Sequence, residues 1–167
     1  RALDDLIIPI PFNDPEVLEL TLKRYGHEVA AIITEPMLGN FGLADPKPGY
    51  MDFLRKKCDE YGILWILDEV KTGFRVAKGG AQERYGYRPD LSTFAKSIGN
   101  GFPIAAYGGR KEVMDIVGKG VTQGGTYAGN GVGTAAAKAT LHIMQTQDVH
   151  KHIDAMGTRL QKGLAQV

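Results

Sequence analysis

Two positions in this sequence have the residue type and setting for covalent or acid–base chemistry. Asp68 follows the apolar run Ile63-Leu64-Trp65-Ile66-Leu67, so its carboxylate leaves a dry segment. Such a carboxylate needs a cation or hydrogen-bond donors, or it neutralises. A protonated ring nitrogen would satisfy it, and that ring could then draw electrons from a carbanion. A helix N-cap or a structural ion pair would satisfy it equally. Lys96 comes later, in Phe94-Ala95-Lys96-Ser97-Ile98-Gly99-Asn100-Gly101, between an apolar run and a glycine-rich turn. Partial burial of a lysine disfavours the charged form and frees the amine to attack an aldehyde. The glycines let backbone pass close to a bound group. Taken alone, a lysine is far more often a surface residue than a nucleophile.

The elements that must position these residues alternate in type. Residues 6–10 read as a short β-like run. Asn13-Asp14-Pro15 opens a helix, with Asp14 as N-cap and Pro15 at the first helical position. Val17, Leu18, Thr21, Leu22 and Tyr25 carry its period, and Gly26 stops it. A strand over 29–34, a loop over 35–48 and an amphipathic helix over Tyr50–Tyr61 follow, the helix ended by Gly62. A strand over 63–67 has Asp68 at its C-terminal end. The loop-rich stretch 73–89 holds a short helix near 81–85. Residues 91–95 and 104–107 form short strands, the second closed by Gly108-Gly109, and 111–117 a short helix. Residues 118–131 are irregular, and 133–145 and everything from Val149 onward are helical. This alternation gives an α/β domain. Strands apolar on both faces suit a sheet covered by helices on both sides. In such sheets ligands bind beyond the carboxyl ends of the strands, where Asp68 and Lys96 both fall.

These stretches resemble a known family. Leu67-Asp68-Glu69-Val70-Lys71-Thr72-Gly73-Phe74-Arg75, Pro89-Asp90-Leu91 and Ala95-Lys96-Ser97-Ile98-Gly99-Asn100-Gly101-Phe102-Pro103-Ile104 are similar to the class III aminotransferases of pyridoxal-phosphate (PLP) fold type I. Gly125-Thr126-Tyr127-Ala128-Gly129-Asn130 resembles that family's phosphate-contacting segment, and the likeness runs from about residue 8 to 160 in the family's order. The resemblance implies a three-layer large domain with a mostly parallel sheet. It implies pyridoxal 5′-phosphate as cofactor, with the pyridoxamine form as its alternate. Lys96 would then be the Schiff-base lysine and shuttle the proton between substrate carbon and the cofactor's C4′. Asp68 would pair with the pyridine nitrogen, and Val70, stiff at its branched Cβ, would pack on the ring face. Thr126 would donate to the phosphate of a cofactor bound mainly by the neighbouring subunit, which implies a homodimer. Glu35-Pro36 matches the family's glutamate-proline turn near the cofactor.

Within the class, Glu35-Pro36-Met37-Leu38-Gly39-Asn40-Phe41-Gly42 resembles the glutamate-1-semialdehyde 2,1-aminomutase subgroup, which implies a contact from Asn40 to the cofactor's 3′-oxygen. Gly79-Gly80-Ala81-Gln82 and Ala106-Tyr107-Gly108-Gly109-Arg110 resemble the same subgroup. Gly131 replaces the usual proline, Tyr127-Ala128 replace leucine and serine, and Gly99-Asn100-Gly101 replaces three glycines. These departures bear on substrate identity. The implied reaction moves an amino group between an amine or amino acid and an oxo acid or aldehyde, or within one molecule. Residues 1–150 are expected to be the central part of the large domain, and 151–167 the start of a helical connection to a small C-terminal domain. The sequence begins at Arg1 and ends inside a helical pattern, and reads as a piece of a longer chain whose phosphate cup lies upstream.

Composition agrees with this class. The 167 residues are 43% hydrophobic and 23% charged, ordinary for a globular protein, and a net charge of +1 suggests neither nucleic acid nor an acidic membrane. The apolar runs are too short to span a bilayer, and no signal-peptide pattern is visible. One cysteine, Cys58, excludes an internal disulfide and suits a reducing, cytoplasmic setting; it is expected half-buried on a helix. Lys56-Lys57 and Asp59-Glu60 read as a solvated helix face. Tyr85, Tyr87 and Arg88 read as a loop cluster near the dimer interface. His142, His150 and His152 read as surface histidines, so no metal set is expected. Leu64–Asp68 and Glu69 mimic a Walker B strand, but no G-x-x-x-x-G-K-[ST] accompanies them. Gly131-Val132-Gly133-Thr134-Ala135-Ala136 matches G-x-G-x-x-A without a buried strand before it. A PLP-less interaction protein is the remaining rival, and the presence of both Asp68 and Lys96 argues against it.

Overall fold

A computed structural model describes residues 4–166. Asp14 Oδ1 accepts the Val17 N–H at 2.9 Å and Pro15 opens helix α1, Pro15–Tyr25. Gly26 ends it, though with a right-handed φ of −55°. Glycine is needed there for space: a Cβ would lie 2.4 Å from the Tyr61 ring. Helix α2, Tyr50–Tyr61, ends at Gly62, whose φ of +68° is the left-handed cap expected.

Strands β1 (Ala31–Thr34), β2 (Leu64–Asp68) and β3 (Leu91–Phe94) are parallel neighbours, and β4 (Ala106–Gly109) runs antiparallel at the β3 edge. The short helices α3 (Gly80–Tyr85) and α4 (Lys111–Met114) lie in the connections. Helices α5 (Gly131–Thr146) and α6 (Val149–Leu164) close the described chain. None of its helices is long and apolar enough to cross a membrane.

The core lies between α1, α2 and one face of the sheet. Leu18 and Leu22 of α1 meet Met51, Leu54 and Cys58 of α2 over Trp65 and Leu67 of β2. Each fully buried leucine there is worth about 2 kcal/mol of transfer energy. Cys58 is fully buried, not half-buried, and burial pushes its thiol up to about 11. Lys57 is not part of a solvated face either. It is buried between Glu19 of α1, at 3.1 Å, and Glu60, at 3.0 Å. Hydrogen bonds to Glu60 and Glu19 raise its pKa, so the ammonium clamps the two helices.

The other sheet face is less covered than the sequence suggests. Ile33, Ile66 and Leu91 are register partners on that face, and Ile33 is 62% exposed among the described residues. Residues 6–10 are not a strand. A 3-10 turn, Asp4–Leu6, leads into irregular chain, and Leu6 is 76% exposed. No strand among the described residues pairs with them, and an apolar run without a ladder partner does not become a strand. The last strand sits two residues later than its apolar pattern, because its register with β3 sets Gly109 opposite Leu91. A Cβ at Gly109 would come within 2.1 Å of the Asp90 carbonyl oxygen.

Candidate active site

Three of the predicted residues lie at or just beyond the C-terminal ends of three adjacent parallel strands. Glu35 follows β1, Asp68 ends β2, and Lys96 follows β3 after one intervening residue, Ala95. Asp68 is the register partner of Thr93, so Lys96 lies three residues further on, on the order of 10 Å along the strand direction.

Asp68 Oδ1 accepts the Val70 N–H at 2.9 Å and the Thr93 hydroxyl at 3.2 Å. Oδ2 has no hydrogen-bond donor among the described residues. The strand's two-residue period turns Glu69 to the opposite side, where it is 0% exposed. Its carboxylate accepts the Thr72 hydroxyl at 2.9 Å, the Ala81 N–H at 2.6 Å and the Gln82 Nε2–H at 3.0 Å, with the Gln82 N–H at 3.3 Å. Gly80, at φ +67°, lies against it, where a Cβ would stand 2.2 Å from Oε2. Glu69 thus ties down the segment that carries Val70 and Lys71.

Lys96 departs from expectation in being exposed. Ala95 is extended, then Lys96 turns to φ +48°, the left-handed region that costs a non-glycine residue about 1 kcal/mol. The Lys96 carbonyl accepts N–H groups from Gly99 at 3.1 Å and Asn100 at 2.9 Å, which hold the turn over buried Ile98. The side chain borders a groove of about 470 Å³ shared with Arg75, Ser97, Asn100 and Phe102. A larger cavity of about 940 Å³, lined by Arg55, Lys78, Gln82, Tyr87, Asp90 and Arg110, contains neither Asp68 nor Lys96.

Glu35 Oε2 accepts the Gly39 N–H at 3.2 Å, closing the turn after β1. Lys71 Nζ donates to Asn40 Oδ1 at 2.5 Å, which leaves the Asn40 amide group as a donor. The Lys71 side chain crosses Gly39, where a Cβ would be 2.4 Å from its Cδ. Thr126 stands apart from this constellation. It is exposed, and its hydroxyl bonds to none of the described residues.

Some residues do what the sequence did not indicate. Asp90 is a buried hub at the start of β3, accepting Arg55 at 2.7 Å, the Trp65 N–H at 2.8 Å and Arg110 at 2.8 Å. Burial pushes its carboxyl up, but these bonds outweigh burial and hold it below the ordinary range. His150 is half-buried, with Nε2 at 3.1 Å from the Phe74 carbonyl, not a surface histidine. Tyr87 stacks on Tyr85 and also packs near Trp65, with ring centroids 6.0 Å apart. The Gly131–Ala136 motif lies inside the start of α5, capped by Asn130, whose side chain accepts the Gly133 N–H at 2.7 Å. Thr93 and Lys71 had no signal beyond their place in the pattern. Glu69 had one, since an acid directly after Asp68 must face the other way.

The model of the family described as Aminotransferase class-III matches residues 12–167. The chain belongs to this family. An omega-transaminase from Sphaerobacter thermophilus is 32% identical, with a TM-score of 0.88 over 99% of this chain and 38% of its own. A beta-phenylalanine aminotransferase from Variovorax paradoxus is 34% identical, with a TM-score of 0.72 over 80% of this chain and 31% of its own. A transaminase with PLP bound is 30% identical, with a TM-score of 0.86 over 94% of this chain and 38% of its own. The chain therefore spans between three tenths and two fifths of the length of these structures. Its mostly parallel sheet with flanking helices is the PLP-dependent transferase fold of type I. Class III aminotransferases depend on PLP, and the donor set here suits that group. Asp68 offers a carboxylate with one oxygen already occupied, for a ring N–H, and Lys96 offers an exposed primary amine, for an aldehyde.

Proposed function

We propose that this chain is the central part of a PLP-dependent class III aminotransferase that moves an amino group between an amine or amino acid and an oxo acid or aldehyde. The carrying observation is the juxtaposition of Asp68 and Lys96 at the carboxyl ends of neighbouring parallel strands, in a member of this family. Bound PLP supplies an aldehyde that takes up amines and a cationic ring that withdraws electrons.

Asp68 would accept the ring N–H through Oδ2 and so keep that nitrogen protonated. Lys96 would hold the bound group through its primary amine and, once free of it, would carry a proton on Nζ. Val70 would lie against the ring, and Asn40 would donate its amide to the 3′-oxygen. Glu35 holds the turn that presents Asn40. Thr126 would donate to the phosphate in the neighbouring subunit of a homodimer. Residues 1–150 belong to the large domain and 151–167 begin the connection to a smaller one. The lone cysteine supports a cytoplasmic setting.

Segments 35–42, 79–82 and 106–110 support a second reading, an aminomutase acting on glutamate-1-semialdehyde. Turnover of that compound without an oxo-acid acceptor would favour it, and turnover of paired donors and acceptors would favour intermolecular transfer.

Borohydride reduction of the full-length holoenzyme followed by peptide mapping tests the main reading. The cofactor is expected on Lys96, and a label on any other lysine overturns the assignment. Lys96→Ala should abolish turnover while the cofactor stays bound without a covalent link. Asp68→Ala should lower kcat more than cofactor affinity, because the electron sink acts in the transition state.

A further inference from the structure

The Asp68 carboxylate has two oxygens, and only one of them is occupied within the described chain. Both donors converge on Oδ1: the Val70 N–H at 2.9 Å and the Thr93 hydroxyl at 3.2 Å. They differ in origin. Val70 follows Asp68 by two residues and moves with it. Thr93 sits on the neighbouring strand as the register partner of Asp68, with both side chains on one sheet face. That neighbouring strand is β3, which leads into the Lys96 turn.

We propose that Thr93 is a positioning residue that orients the Asp68 carboxylate, leaving Oδ2 for the cofactor's ring nitrogen. This rests on the reading of Asp68 as the partner of that nitrogen. The terminal torsion of an aspartate is broad, so a carboxylate held by its own turn alone can swing. A threonine on a strand is stiff at χ1, and its hydroxyl is carried by the ladder, not by a flexible loop. The bond therefore couples the direction of the acid to the strand that delivers the amine.

The test separates the hydroxyl from the shape of the side chain. Thr93→Val keeps the branched Cβ and removes the donor, whereas Thr93→Ser keeps the donor and removes a methyl group. A merely structural role makes Val the benign change and Ser the damaging one. Positioning predicts the reverse. In the full-length holoenzyme, Thr93→Val should lower the rate of the amino-donor half-reaction about tenfold, the scale of one charge-assisted hydrogen bond. The KM for the donor and the thermal midpoint should hardly move, and Thr93→Ser should stay within about twofold of the parent rate on the same scale.

A second readout needs no turnover. Weaker protonation of the ring nitrogen removes a nearby positive charge, so the pH midpoint of the bound cofactor's visible absorbance should rise in Thr93→Val and stay in Thr93→Ser. If Thr93→Val does not fold, Thr93→Ala carries the same expectations. Equal behaviour of Val and Ser, or a Val variant with parental rate and midpoint, overturns the proposal. Asp68→Asn in the same assays keeps the two readings distinct. If it moves rate and midpoint while Thr93→Val moves neither, only the role of Thr93 falls. If Asp68→Asn moves neither, the reading of Asp68 falls and that of Thr93 with it.

Discussion

The segment after β2 and the segment before α5 carry opposite ends of the proposed site and are built in opposite ways. In residues 69–82 a fully buried carboxylate gathers a hydroxyl, two backbone N–H groups and an amide, and Thr72 and Gly73 are buried beside it. In residues 115–129 every residue is exposed, and Tyr127 is 73% exposed. That stretch is held by backbone turns, such as Ala128 N–H to Gly125 carbonyl at 3.0 Å and Asn130 N–H to Tyr127 carbonyl at 3.2 Å. The first segment satisfies its buried carboxylate from its own sequence. The second has no core of its own among the described residues. Damage to the first should be read out as lost folding, and damage to the second as lost binding in an intact fold.

Three substitutions in the full-length protein break or sharpen that contrast. Glu69→Ala should have the largest effect, about 4 kcal/mol of stability in denaturant melts, because several buried donors lose their acceptor together. A loss under about 1 kcal/mol would mean that the carboxylate does not tie the segment. Asp90→Asn comes next, at about 3 kcal/mol, since it leaves Arg55 without its buried partner. Its pH dependence is specific. The folded-state carboxyl lies below its ordinary value, so its contribution is complete above about pH 4 and is lost as pH falls through the folded value. Melts from neutral pH down to about pH 3 should show that acid limb shrink in Asp90→Asn. Thr126→Val should have the smallest effect on stability, within about 0.5 kcal/mol. Cofactor release from the holoenzyme should nonetheless quicken, as followed by absorbance after dilution. A marked drop in melting temperature would show that the exposed segment is structural after all.

Much of this arrangement was legible where local chemistry decides it. An apolar run ending in an acid placed Asp68 at a strand end, and Asp14-Pro15 placed the start of α1. What escaped depends on partners distant in sequence. Residues 6–10 have strand composition but no ladder among the described residues. The extent of β4 is set by its register with β3, which spacing within 104–109 cannot reveal. Lys57 reads as a surface lysine until α1 brings Glu19 across to it. Thr93 looks like strand filler, because the two-residue period gives its face but not the residue opposite. Lys96 was expected half-buried because its neighbours are apolar. The left-handed turn at that residue brings the side chain out instead.

Cys58 is the sequence's only thiol, and it lies sealed between α1, α2 and the sheet with little thiolate at neutral pH. An alkylating reagent therefore reaches Cys58 only when that layer parts. For this stretch the pace of Cys58 capture therefore counts how often the two helices lift from the strands that end at Asp68 and lead to Lys96.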